Sequence, residues 1–174
     1  MTKKLLILCM TAFLTVLQAA NGPQQAATDE SFTLKAPGEP AIVAKGMPNG
    51  MSFKGYEGKP VLVNFFGKEC RYCKREIPEL VSIKKRYGNK IGIIGLHVQE
   101  RMTPQERSRM RFDYPVYEYD DNQAIVRYIG TRARFNGSIP FNIIFNTDGD
   151  VAEIVPGYID GKRLEAIFAE LLKR

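Results

Sequence analysis

Apolar residues in this chain recur with two different rhythms. Residues 61–66 (VLVNFF) are β-branched and apolar almost without a break, bounded by Pro60 and Gly67, which is the pattern of a buried strand. From 71 to 87 the rhythm changes. Ile77, Leu80, Val81, Ile83 and Tyr87 recur at spacings of about three and four, which predicts an amphipathic helix with Gly88 as its C-cap. Residues 91–98 (IGIIGLHV) predict a second strand. Thr103-Pro104-Gln105-Glu106 is a helix start: threonine caps, proline takes the first turn and glutamate completes a capping box. A short extended piece is expected at 115–118 and a short helix at 121–129. Residues 141–146 and 150–155 predict strands joined by Thr147-Asp148-Gly149, a hairpin signal. Asp160 can cap a last helix whose inward face is Leu164, Ile167, Phe168, Leu171 and Leu172. Strand–helix–strand alternation implies a parallel pair, and the late hairpin adds an antiparallel section. The expected architecture is α/β, a mixed sheet with helices on both faces. Residues 32–60 carry only short extended pieces, at 32–34 and 41–44.

The first 20 residues follow neither rhythm. Lys3 and Lys4 precede an apolar run from Leu5 to Leu17, and small residues follow at Ala19 and Ala20. That is the layout of a secretory signal peptide over 1–20. A membrane-spanning helix needs about 20 apolar residues, and this run is shorter; if residues 5–20 stay uncleaved they would serve as a membrane anchor. Residues 21–31 are polar and predict a flexible leader, which leaves 32–174 as one domain. The full chain has a formal charge of +6; removing 1–20 takes away two lysines and no acids, leaving +4. So weak and dispersed a charge gives no case for nucleic acid. The expected location is exported, most simply a bacterial periplasm, where disulfides persist.

Three cysteines are present, and Cys9 lies within the first 20 residues. The mature chain therefore carries Cys70 and Cys73, at the junction between the first predicted strand and its helix. A thiol at a helix start meets free backbone N–H groups and the positive end of the helix dipole, so the Cys70 thiolate is favoured. Lys68, Arg71, Lys74 and Arg75 act in the same direction, and Glu69 and Glu76 oppose it. Cys73, one turn in, is suited to resolving a mixed disulfide formed on Cys70. Other readings stay open. A zinc site needs about four ligands, and two cysteines with the single His97 fall short. A copper-carrying site needs fewer. A purely structural disulfide across so short a loop constrains the unfolded chain little. No cofactor and no resident metal are expected.

The stretch from Gly58 to Leu80, GKPVLVNFFGKECRYCKREIPEL, resembles the active-site segment of thioredoxin-like proteins, most of all exported thiol-disulfide oxidoreductases of the TlpA/ResA type. The match falls on Gly58, Lys59, Asn64, Phe65, Cys70, Cys73, Lys74, Glu76 and Pro78. Pro78 stands where thioredoxins kink this helix, and a helix-interior proline removes one ladder bond. Ser138-Ile139-Pro140 matches the family's cis-proline segment; the resemblance implies that Pro140 faces the cysteines and that Ile139 offers backbone groups to a substrate chain. It covers roughly residues 30–174, with Thr103 to Ile129 as a loosely matching central helical insertion and residues before the first core strand as an N-terminal extension.

The resemblance implies a thioredoxin-like fold and protein dithiol or disulfide substrates. The favoured direction is net reduction, for instance of apocytochrome c during haem attachment, with a membrane electron donor, in a monomer. An oxidase or isomerase of the same fold is the alternative, and a copper-carrying or non-catalytic binding domain a further one. Phe66 and Glu69 stand where the family commonly has tryptophan. Glu69, Arg71 and Tyr72 are expected to shape the substrate site, and Tyr72 beside the second cysteine leans slightly toward isomerases. Family members often place a glutamate near the thiols, and Glu100 is the candidate by alignment. His97 is expected to be structural, and Phe112, Tyr114, Tyr117 and Tyr119 to pack.

Overall fold

The computed structural model describes residues 30–173. The signal peptide expected at 1–20 and most of the leader lie outside the described residues. The leader's last residue, Ser31, begins a strand instead of ending a flexible segment.

Among the described residues, eight strands and four α-helices follow in the order β1 Ser31–Leu34, β2 Ile42–Met47, β3 Gly50–Phe53, β4 Val61–Phe66, α1 Arg71–Tyr87, β5 Gly92–His97, α2 Pro104–Met110, β6 Val116–Glu118, α3 Gln123–Arg132, β7 Phe141–Phe145, β8 Val151–Pro156 and α4 Gly161–Leu171. Strands β4 to β8 form a mixed sheet in the order β6-β5-β4-β7-β8, with β4–β5 and β5–β6 parallel and β4–β7 and β7–β8 antiparallel. Every residue of β4 and β5 is buried, as an unbroken apolar run requires when both sheet faces are covered.

Side chains of β4 alternate between two cores. Leu62 and Phe66 point to one face, where they meet Ile77, Leu80 and Ile83 of α1 and Leu164 and Phe168 of α4. Val61, Val63 and Phe65 point to the other, against Ile125, Val126 and Ile129 of α3. Helices on both faces are thus one consequence of period-two alternation in a doubly apolar strand.

The second core is completed by a second sheet, of which the sequence anticipates the extended pieces at 32–34 and 41–44 but not β3. Strands β1, β2 and β3 form a separate antiparallel sheet, contributing Leu34, Ile42, Ala44, Met51 and Phe53. Strand β3 is only four residues long and is held by a distant partner: Met51 N–H donates to Gly149 O at 2.9 Å and Val151 N–H to Asn49 O at 2.9 Å. A Cβ on Gly50 would stand 1.9 Å from Gly149 O, so this close backbone approach demands glycine.

Local chemistry sets the helix ends as anticipated. Thr103 and Glu106 complete their capping box, and Asp160 accepts from Arg163 N–H. Helix α3 starts after Asn122 and runs to Arg132, later than the expected 121–129. Segment 115–118 becomes an edge strand of the main sheet beside β5. No helix among the described residues is long and apolar enough to cross a membrane.

Candidate active site

The cysteines sit where β4 hands over to α1. Gly67 ends the buried strand, a turn closed by Cys70 N–H to Gly67 O at 3.3 Å follows, and Cys70 is the N-cap of α1. Its sulfur accepts from the N–H of Cys73 at 3.0 Å, the contact by which a side-chain acceptor satisfies an orphan donor of the first turn. The two sulfurs are joined in a disulfide. No acidic residue occupies the first turn of α1. The dipole, the Cys73 N–H and nearby cations therefore all favour negative charge on Cys70 once the bond is reduced. Cys73 is fully buried, whereas Cys70 is only half-buried. An incoming sulfur reaches the first before the second.

Across from Cys70 lies the segment before β7. The Ile139–Pro140 peptide is cis, Pro140 is buried, and the carbonyl oxygen of Ile139 stands 3.6 Å from Cys70 Sγ. Arg71 and Tyr72 are exposed, Tyr72 at 58%. Glu69 is exposed and pairs loosely with Lys74 at 3.7 Å, a contact worth little in water. Arg75 stacks over the ring of Tyr158, 4.5 Å from its centroid. The cysteines and Ile139–Pro140 are thus brought together, with Glu69, Arg71 and Tyr72 beside them in the chain and open to solvent.

Glu100 is exposed in the loop after β5. The carboxyl group buried on the thiol helix is Glu76, one turn after Cys73 on the same helix face. Its Oε1 accepts from Asn142 Nδ2 at 3.0 Å and from Ile159 N–H at 2.9 Å, and its Oε2 accepts from Asn64 Nδ2 at 2.8 Å. Asn64 also donates to Asn142 Oδ1 at 2.8 Å, so the two asparagines, opposite each other on β4 and β7, form one unit with the acid. Burial pushes the Glu76 carboxyl up to about 7, and the three donors offset only part of that. A group poised near neutrality, one helical turn from Cys73, is suited to proton exchange. Helical spacing carried the signal for it: positions 73, 76, 77, 80 and 83 form one inward stripe, so the glutamate at 76 had to be buried.

His97 is fully buried and bonded on both nitrogens, and Tyr114 and Tyr117 are buried core aromatics, with Phe112 tilted against Phe66 and edge-on to Tyr114. Among the described residues no three His, Cys, Asp or Glu side chains cluster as a metal site would require.

The chain is similar to several known proteins. Residues 25–154 match the AhpC/TSA family. The thiol-disulfide oxidoreductase ResA of Geobacillus kaustophilus is 29% identical over 115 residues, covering 63% of this chain and 62% of the relative. The thioredoxin-like protein YneN of Bacillus subtilis is 27% identical over 116 residues, 66% of each chain. The chain thus spans somewhat under two thirds of the length of these curated relatives. Among solved structures, a thioredoxin-family thiol:disulfide interchange protein from Chlorobium tepidum superposes with a TM-score of 0.62 at 20% identity, covering 75% of this chain and 93% of that one. That likeness confirms the thioredoxin-like fold.

Proposed function

The chain belongs to the AhpC/TSA family, and from that premise we propose that it is an exported, periplasmic thiol-disulfide oxidoreductase of the TlpA/ResA type that reduces disulfides in protein substrates, apocytochrome c among them. One observation carries the reading: a half-buried cysteine caps a helix, accepts the N–H of its partner cysteine, and faces the carbonyl of a residue preceding a cis-proline.

In the reduced protein the Cys70 thiolate attacks one sulfur of the substrate disulfide. The substrate S–S bond breaks, a Cys70–substrate bond forms, and one substrate sulfur leaves as a thiolate. Cys73 then gives its proton to Glu76 and attacks Cys70 Sγ. The mixed disulfide breaks, the second substrate thiolate leaves, and the protein ends as the Cys70–Cys73 disulfide. Two electrons have passed to the substrate. Ile139 supports the attack by offering its backbone to the substrate chain as an added strand would. Pro140 shapes that edge, and Glu69, Arg71 and Tyr72 line the approach. A membrane donor relaying electrons from the cytoplasm restores the dithiol, and the protein acts as a monomer. Export is supported by the charged, apolar and small-residue succession in residues 1–20.

The equilibrium potential of the Cys70–Cys73 pair in defined thiol buffers tests the direction. A value near that of thioredoxin, about −270 mV, is expected; a value toward about −120 mV would mark an oxidase or isomerase instead.

A further inference from the structure

The turn carrying Cys70 is not held by its own backbone alone. Cys70 N–H closes onto Gly67 O, which leaves the N–H groups of Lys68 and Glu69 pointing out of the turn. Both are taken by side chains at the end of the neighbouring strand. Lys68 N–H donates to His97 Nε2 at 3.1 Å, and Glu69 N–H donates to Gln99 Oε1 at 3.0 Å.

The first of these acceptors has a fixed protonation pattern. A backbone amide can only donate, so His97 Nε2 must present its lone pair, and the ring proton sits on Nδ1. Nδ1 lies 2.7 Å from Glu118 Oε2 and donates to it. His97 is fully buried, and the Glu118 side chain is 7% exposed. The pairing of three strands makes this arrangement: Phe66 is opposite His97 in the β4–β5 ladder, and His97 is opposite Glu118 in the β5–β6 ladder. The Phe66 ring lies 5.2 Å from the imidazole and closes one side. The Glu118 backbone is itself tied by Asn122, whose Nδ2 donates to Glu118 O at 2.9 Å. A carboxylate behind an imidazole fixes its tautomer and its orientation, and here it aims the free lone pair at the amide two residues before the thiol.

We infer that His97, oriented by Glu118, is a positioning residue for Cys70: its Nε2 lone pair fixes the Lys68 amide and with it the turn that presents the attacking sulfur. The inference rests on the reading of Cys70 as the nucleophile. His97 is not itself an acid or base at the sulfur, because both ring nitrogens are committed. Its effect passes through the backbone, by keeping Cys70 Sγ at 3.0 Å from the Cys73 N–H that stabilises the thiolate. Gln99 does the same for the next amide.

The test compares His97→Asn with His97→Gln in the otherwise unchanged protein. Asparagine can still donate to Glu118 but is too short to accept from Lys68; glutamine places a carbonyl where Nε2 stands. Iodoacetamide alkylation of Cys70 in the reduced protein is followed against pH, together with turnover of a protein disulfide. His97→Asn is expected to lose roughly tenfold in alkylation rate near neutral pH, the scale of one lost hydrogen bond, with the profile moved to higher pH. His97→Gln is expected to recover most of that rate. Wild-type alkylation profiles in both variants, or equal losses with no rescue by glutamine, would overturn the inference and leave His97 a packing residue. Should neither variant fold, nitrogen NMR of the wild-type protein decides: the inference requires scalar coupling between the Lys68 amide and an unprotonated Nε2, and a protonated Nε2 contradicts it. A wild-type protein that exchanges no disulfide at all would refute the proposed function separately.

Discussion

Glu76 of the thiol-bearing helix accepts a 3.0 Å hydrogen bond from Asn142 of the neighbouring strand, in the sealed layer between α1 and the sheet. With Asn64 it makes a polar knot in a core built mostly from leucine, isoleucine, valine and phenylalanine. Three donors and no acceptor face the acid, so its ionised form is satisfied while its burial remains costly.

That balance has a consequence for stability. The Glu76 carboxyl titrates at about 7 in the folded protein, against an ordinary value of 4.5. The native state therefore binds more protons than the unfolded chain across that window, and stability falls as pH rises through it. Wild-type stability is expected to drop relative to Glu76→Gln between pH ~4.5 and ~7, by up to about 3 kcal/mol. Urea unfolding of both proteins across that range measures it; a difference independent of pH would contradict it.

Gly67 marks the closest packing at the site. A Cβ there would lie 2.3 Å from the Gln99 side chain and 2.7 Å from Ile139 Cδ1. Gly67→Ala is expected to cost about 1–3 kcal/mol through overpacking. It is also expected to slow disulfide exchange, because Gln99 must release the Glu69 amide. Parallel unfolding and reductase assays check both; unchanged exchange would show that the turn tolerates the shift.

Tyr72 stands between the cysteines and is 58% exposed, so its removal leaves the core untouched. Tyr72→Ala is expected to keep stability within about 0.5 kcal/mol of wild type. The KM for a protein disulfide should rise several-fold while kcat for a small disulfide stays level. Equal kinetics on both substrates would remove Tyr72 from the substrate surface.

Much of this was legible in the letters because the signals are local. The apolar run 61–66, the helical spacing of 71–87, the Thr103 capping box and the Asp160 cap each depend on residues within a turn or two of one another. Strand β3 was missed although half of its pairing is local: it turns back on β2 through Pro48 and Asn49, but four residues containing a glycine carry little strand preference, and the bonds that tie it to Gly149 and Val151 span about a hundred residues. Glu76 was hidden by chemistry instead of by distance. A glutamate among lysines and arginines looks solvated, although the spacing of Cys73, Ile77 and Leu80 had already turned it inward. Glu100 looked better placed by alignment and is exposed. The His97–Glu118 pair depends on the register of two parallel ladders, which no spacing along the chain reveals.

Trapping a mixed disulfide identifies the attacking thiol. The reduced Cys73→Ser protein, offered a protein disulfide, is expected to accumulate a covalent complex through Cys70, visible without reductant and lost on adding it. The Cys70→Ser protein is expected to form none through Cys73, because that thiol is buried. Complexes formed equally by both variants, or by Cys70→Ser alone, would contradict the assignment of Cys70 as the attacking thiol.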